Sequence, residues 1–238
     1  MTDARRAVLF DVDGTLLDVV ENQRRIWSEW ARRHELDPDW VYSEAVGTRA
    51  PETFAAVSPG LELAHCLRVL GEIEDEDVRC GEWQAFPGAG ALLRQLAGRD
   101  WALVTSNYER QVRARFDRAG LPVPAVIVDA DAVTCGKPDP EGYRLAARRL
   151  SIAPKHCLVI EDGATGIQAG RAAGMTVWAV NTDPGAAGPA GPGGAAGPAG
   201  PAAPAGAAAA QRTFATLAGA ANEILAWTGA TTPRPPRC

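Results

Sequence analysis

Apolar positions fall into two rhythms along this 238-residue chain. Short apolar runs at 7–10, 101–104, 125–128, 158–160 and 176–180, each closed by polar or turn residues, predict buried strands. Between them, positions 90–97, 109–119, 140–150 and 165–173 carry apolar residues at helical spacing, as does 211–227. Strands that alternate with helices predict a Rossmann-like parallel sheet covered by helices on both faces, an α/β fold. Residues 18–84 break this alternation. Ile26, Trp27 and Trp30, then Leu61, Cys66, Leu67 and Leu70, follow a helical period with no second strand pattern. That block is expected to be an inserted α-helical cap, leaving 1–17 and 85–227 as the α/β core.

A second departure lies near the C-terminus. From Gly185 to Ala202 the chain reads as six consecutive Gly-x-y triplets, several of them Gly-Pro-Ala. So few triplets, with no other sign of three-fold assembly, are expected to form a flexible low-complexity loop within 184–210 rather than a collagen-like trimer. The tail 228–238, with Pro233, Pro235 and Pro236, is expected to be disordered.

Composition narrows the function classes. Hydrophobic residues make up 46% and charged residues 22%, the balance of a globular enzyme. No long uncharged apolar run is present, so no membrane partner is expected. The N-terminus lacks the pattern of a signal peptide. Five cysteines without a C-x-x-C pair point to a reducing, cytoplasmic setting rather than a disulfide framework or zinc site. A net charge of −5 argues against nucleic acid. Of 24 basic residues only Lys137 and Lys155 are lysines, which makes the position of each informative.

The sharpest chemical signal is Phe10-Asp11-Val12-Asp13-Gly14-Thr15-Leu16-Leu17-Asp18. Two carboxylates directly after a strand stand at the carboxyl edge of the sheet, where open α/β folds bind ligands. Their mutual repulsion calls for a cation or a shared proton. Three further segments follow at expected strand ends or in the loop after one. They are Leu103-Val104-Thr105-Ser106-Asn107, Gly136-Lys137-Pro138-Asp139-Pro140, and Val159-Ile160-Glu161-Asp162-Gly163-Ala164-Thr165-Gly166-Ile167.

In this order the four segments resemble the motifs of the haloacid dehalogenase superfamily, over about residues 6–181. The resemblance implies Asp11 as nucleophile towards phosphorus and Asp13 as general acid and base. It places phosphate on Thr105, Ser106, Asn107 and Lys137. It implies Mg²⁺ held by Asp11, Asp13 through its carbonyl, Asp162, and Glu161 directly or through water. A compact ammonium at Lys137 is not replaceable by a planar guanidinium, consistent with a lysine surviving there in an arginine-rich chain. Lys155, His34, His65, His156 and Cys135 carry no such signal and are expected to be structural or surface residues.

The helical insert is similar to the cap of the phosphoglucomutase-like branch, and 46–53 to its specificity loop. Arg49 is the expected cap contact to a second anionic or hydroxylated part of the substrate, whereas Trp27 and Trp30 are expected to be cap core. The implied function is a Mg²⁺-dependent phosphatase acting on a small phosphorylated sugar, polyol or cyclitol, and a monomer is expected. A sugar phosphomutase on the same fold is the alternative, and a phosphoglycolate-type phosphatase a second. The chain lacks the cap-hinge histidine and cap lysine of the mutases, lacks the cap lysine of a phosphonatase, and has the Asp13 that dehalogenases lack. A non-catalytic binding protein would have lost at least one of these groups.

Overall fold

A computed structural model describes residues 5–182 and 210–229. The chain enters at β1 (Ala7–Phe10), whose four apolar residues are all buried, as a strand inside a doubly covered sheet must be. After β2 (Leu17–Asp18) come four helices, α1 (Val20–Arg33), α2 (Pro38–Ala45), α3 (Ala50–Val57) and α4 (Leu63–Cys80). β3 (Gln84–Ala85) then pairs antiparallel with β2. The rest alternates: α5 (Ala89–Gln95), β4 (Asp100–Val104), α6 (Glu109–Arg118), β5 (Val126–Val128), α7 (Glu141–Leu150) and β6 (Cys157–Glu161). It ends with α8 (Ala164–Ala172), β7 (Thr176–Ala179), β8 (Arg212–Thr213) and α9 (Leu217–Trp227).

The six-stranded sheet has the order β5-β4-β1-β6-β7-β8, and every pairing in it is parallel. From β1 the chain moves outward on one side through β4 and β5, then returns to the other side at β6. Phe10 lies opposite Leu103 on one neighbour and Ile160 on the other. The residues just beyond these ends therefore meet at one edge, at the reversal point where such sheets bind ligands.

Side chains alternate across the sheet. Val8 and Phe10 pack with Leu92, Phe116 and Ile224 on one face. Ala7 and Leu9 pack with Tyr143, Ala147 and Ile167 on the other. The cap has a separate core of Ile26, Trp27, Trp30, Phe54, Cys66 and Leu70. Trp30 is its centre, with ring centroids 4.7 Å from Phe54 and 4.1 Å from His34. Helix α2 starts crisply because Asp37 accepts from the Asp39 and Trp40 amides while Pro38 supplies the first turn.

One junction was not predicted and one expectation needs correction. The α/β core and cap are joined by the β2–β3 ribbon, whose strands are two residues each and too short to show an alternation. Residues 211–227 are not one helix: Arg212–Thr213 extends the sheet beside β7. The helix starts only where the Thr216 side chain accepts from the Gly219 amide. The Gly-Pro-Ala segment, except residue 210, and the tail from 230 lie outside the described residues.

Candidate active site

The edge of β1 sets the geometry. The Asp11 amide still donates to Ile160 O at 3.0 Å, so the strand's hydrogen bonding carries through to the first carboxylate. The chain then turns at Gly14, with φ of +86°. A Cβ there would lie 2.1 Å from Asp162 Oδ2, so only glycine lets the two acidic segments approach. Thr15 Oγ1 donates to Asp162 Oδ1 at 2.9 Å and fixes that carboxylate. Asn181 Nδ2 donates to the Gly14 and Thr15 carbonyls at 2.8 and 3.1 Å, and its Oδ1 accepts from Leu217 N. Asn181 was not legible as a site residue, although a left-handed φ of 53° suits asparagine better than most residues.

Lys137 reaches the centre from the loop after β5. Its Nζ lies 2.5 Å from Asp11 Oδ1 and 2.7 Å from Glu161 Oε1. Burial opposes the ammonium charge, but Asp11 and Glu161 outweigh it and hold the lysine protonated well above its usual range. Glu161 is saturated. Its Oε1 also accepts from the Tyr143 hydroxyl at 3.0 Å, and Oε2 accepts from the amides of Asp162 at 3.0 Å and Gly163 at 2.9 Å. A Cβ at Gly166 would fall 1.5 Å from Glu161 Oε1, so this glycine makes room for the carboxylate. Tyr143 and the reason for Gly166 emerge only in three dimensions, because α7 and β6 converge there.

Asp13 has a different environment. Its Oδ2 accepts from Asn107 Nδ2 and, at 3.2 Å, from Gln23 Nε2 of the cap. Arg115, 1% exposed, places Nη1 3.6 Å from the same oxygen and Nη2 3.9 Å from Asp77 Oδ2. Asp13 Oδ1, Asp77 Oδ2 and Arg115 Nε and Nη1 have no hydrogen-bond partner. Burial pushes the Asp13 carboxyl upward against the pull of Arg115, Lys137, Gln23 and Asn107. A carboxyl held partly towards its protonated form is what a general acid requires. Thr105 stands beside this pair, its Oγ1 accepting from the Asn107 amide at 3.1 Å, and Ser106 lines the same cavity.

One oxygen each from Asp11, Glu161 and Asp162 fall within 4.8 Å of one another. Burial, then the Glu161 charge, pushes Asp11 up to about 7 despite Lys137. Burial with the charges of Glu161 and Asp11 pushes Asp162 well above the carboxylate range. Clustered hard oxygens that resist ionising together fit a divalent cation. Asp11, Glu161 and Asp162 are the residues that could hold it. Glu161 meets four donors as well, Lys137 among them.

Above these groups the cap closes a cavity of about 190 Å³, lined from the core by Asp11, Asp13, Thr105, Asn107 and Lys137, and from the cap by Gln23, Trp27, Tyr42, Leu70 and Glu74. Arg49 departs from expectation. It does not line this cavity. Its guanidinium pairs with Glu52 at 2.6 Å and donates to the carbonyls of Ala130, Val133 and Thr134 at 3.3, 2.9 and 2.8 Å. A guanidinium with five N–H donors suits such a carbonyl cluster, and it ties the cap to the loop leading to Lys137. Trp30 is cap core as expected, while Trp27 belongs to both the core and the cavity wall. Lys155 and His65 are exposed, His34 and His156 half-buried, and Cys135 exposed beyond the cavity.

A family model for haloacid dehalogenase-like hydrolases matches residues 5–174. The chain belongs to this family. Hexitol phosphatase A of Escherichia coli (strain K12) is 42% identical over 179 residues, 74% of this chain and 83% of that protein. Validoxylamine A 7'-phosphate phosphatase of Streptomyces hygroscopicus subsp. limoneus is 32% identical, over 71% and 83% of the two chains. The structure of a CbbY mutant from Rhodobacter sphaeroides in complex with xylulose-1,5-bisphosphate superposes with a TM-score of 0.66 at 28% identity, covering 74% and 86%. Within the family this hydrolase is a phosphatase, a phosphoric monoester hydrolase. Its α/β core and helical cap are those the motifs imply, and no described helix is long and apolar enough to cross a membrane.

Proposed function

We propose that this hydrolase removes phosphate from a small phosphorylated sugar or polyol, with Mg²⁺ as cofactor and Asp11 as nucleophile. The observation that carries the reading is the meeting of Asp11, Lys137 and Asp162 at the floor of a capped cavity, with Asp13 and Asn107 on its side. The similarity to hexitol phosphatase A supports the substrate class.

In the first half-reaction an Asp11 carboxylate oxygen attacks phosphorus and the bond to the leaving oxygen breaks. Asp13 gives its proton to that oxygen, releasing the alcohol and leaving an aspartyl phosphate. In the second, Asp13 takes a proton from water, the hydroxide attacks phosphorus, and Asp11 leaves as a carboxylate with orthophosphate. Lys137 neutralises Asp11 and the phosphoryl oxygens, while Glu161 and Tyr143 fix Lys137. Thr105, Ser106 and Asn107 hold the non-bridging oxygens. When bound, Mg²⁺ would offset the charge between Asp11 and the transferring phosphoryl group.

Phosphate release from hexose and hexitol phosphates, with EDTA and after Mg²⁺ is restored, tests this reading. Activity should vanish with chelator and return with Mg²⁺. Full activity in excess EDTA would overturn the metal assignment, and dominant isomerisation of a hexose 1-phosphate primed with bisphosphate would favour the mutase.

A further inference from the structure

The two walls of the cavity differ in charge. Among the described residues the cavity lining carries one cation, Lys137 of the core wall, already shared between Asp11 and Glu161. The cap wall is formed by residues such as Val20, Gln23, Trp27, Tyr42 and Leu70, and among the described residues it contains no lysine, arginine or histidine. Arg49, on the cap loop beside this wall, is turned away from the cavity and occupied by Glu52 and three carbonyls of the core loop. The cap wall has a carboxyl instead. Glu74 of α4 is 5% exposed, lines the cavity, and accepts at Oε2 from Gln111 Nε2 of α6.

We propose that the site is built for monophosphates of neutral polyhydroxy compounds and excludes a second phosphate, with Glu74 as the residue that sets the exclusion. This rests on the phosphatase reading above and narrows its substrate class. A phosphate monoester carries about −1.5 to −2 charges near neutral pH. A second one, at the far end of a substrate whose first phosphate meets Asp11, would lose water against Trp27 and Leu70, gain no cation, and face the Glu74 carboxyl. Arg115, outside the cavity lining, offsets part of the Glu74 charge without being reachable by substrate. Neutral hydroxyls fare differently: each can donate to the Glu74 carboxylate or to the Gln23 side-chain oxygen. Burial pushes the Glu74 carboxyl up to about 7, so above that value it stands mainly ionised.

The test is kcat/KM at pH 8 with Mg²⁺ for sorbitol 6-phosphate and fructose 1-phosphate, each against its 1,6-bisphosphate. The wild type should prefer the monophosphate by at least about tenfold, the size of one uncompensated charge contact. Glu74→Gln keeps the volume and the bond to Gln111 but not the charge, and should lower that ratio. Tyr42→Lys, at a half-buried position of the same wall, adds a cation and should lower it further. Comparable turnover of mono- and bisphosphate by the wild type would overturn this inference alone. So would a ratio unchanged in both variants. Absence of turnover on all four compounds would overturn the phosphatase reading and this inference with it.

Discussion

The floor and the roof of the cavity are made by different physical means. On the floor, Asp11, Thr105 and Glu161 sit at or just beyond the ends of adjacent parallel strands, so backbone register fixes their spacing. Their polar atoms are tied by short contacts, as in the four donors around Glu161. The roof consists of helix faces whose apolar side chains serve the cap core and the cavity together, Trp27 and Leu70 being the clearest cases. A rigid floor preorganises charge for one reaction. Apart from Gln23, which donates to Asp13, the roof residues touch none of the floor carboxylates, so on the proposed reading the roof is where substrates are distinguished.

If this division holds, substitutions on the floor act on kcat and those on the roof on KM or selectivity. The largest effect belongs to Asp11→Asn, which should abolish phosphate release because an amide is a very poor nucleophile; near-normal release from purified variant would end the covalent mechanism. Asp13→Asn should lower kcat by about 10²–10⁴-fold, the usual worth of general acid–base help. It should still form the phosphorylated Asp11 with an activated aryl phosphate, whose leaving group needs no proton.

Trp30→Ala asks whether the cap's core is as essential as the sheet's. Removing this fully buried ring should cost about 3–5 kcal/mol, read as a fall in thermal or denaturant stability; a loss under 1 kcal/mol would mean that the cap collapses around the gap. Arg49→Ala deletes a guanidinium that joins cap to core but does not line the cavity above Asp11. KM should rise by about tenfold, as for loss of one charge-assisted contact, with kcat nearly unchanged. A kcat defect without a KM change would return Arg49 to the chemistry.

The smallest effect concerns pH and Glu74. Burial is the main cause that raises its carboxyl to about 7, against an ordinary value of 4.5. Between those values the folded chain holds a proton that the unfolded chain has released, so this group's contribution to stability falls as pH rises through that window. Glu74→Gln cannot ionise and should gain stability relative to wild type by about 1–3 kcal/mol between pH 4 and pH 8. Parallel unfolding curves for the two proteins across that range would show that Glu74 ionises without cost.

What the sequence by itself determined is the part written in local order. Buried four-residue runs gave the central strands, and polar residues that follow such runs directly, Asp11, Asp13, Thr105 and Glu161, must emerge at one edge once the strands are parallel. Lys137 stood out because only two lysines survive in the chain. The two-residue strands at 17–18, 84–85 and 212–213 were not legible, since no period can show in two positions. Tertiary structure alone decided the rest. It turned Arg49 from substrate towards the carbonyls at 130, 133 and 134, brought Tyr143 and Gly166 against Glu161, and set Asn181 behind the Gly14 turn. It also placed Gln23, Arg115 and Glu74, from three different helices, around Asp13 and the cavity. These contacts join residues from five to 167 positions apart, and which face of a helix meets them depends on how the helices and the cap dock on the sheet. No spacing within the chain encodes that angle.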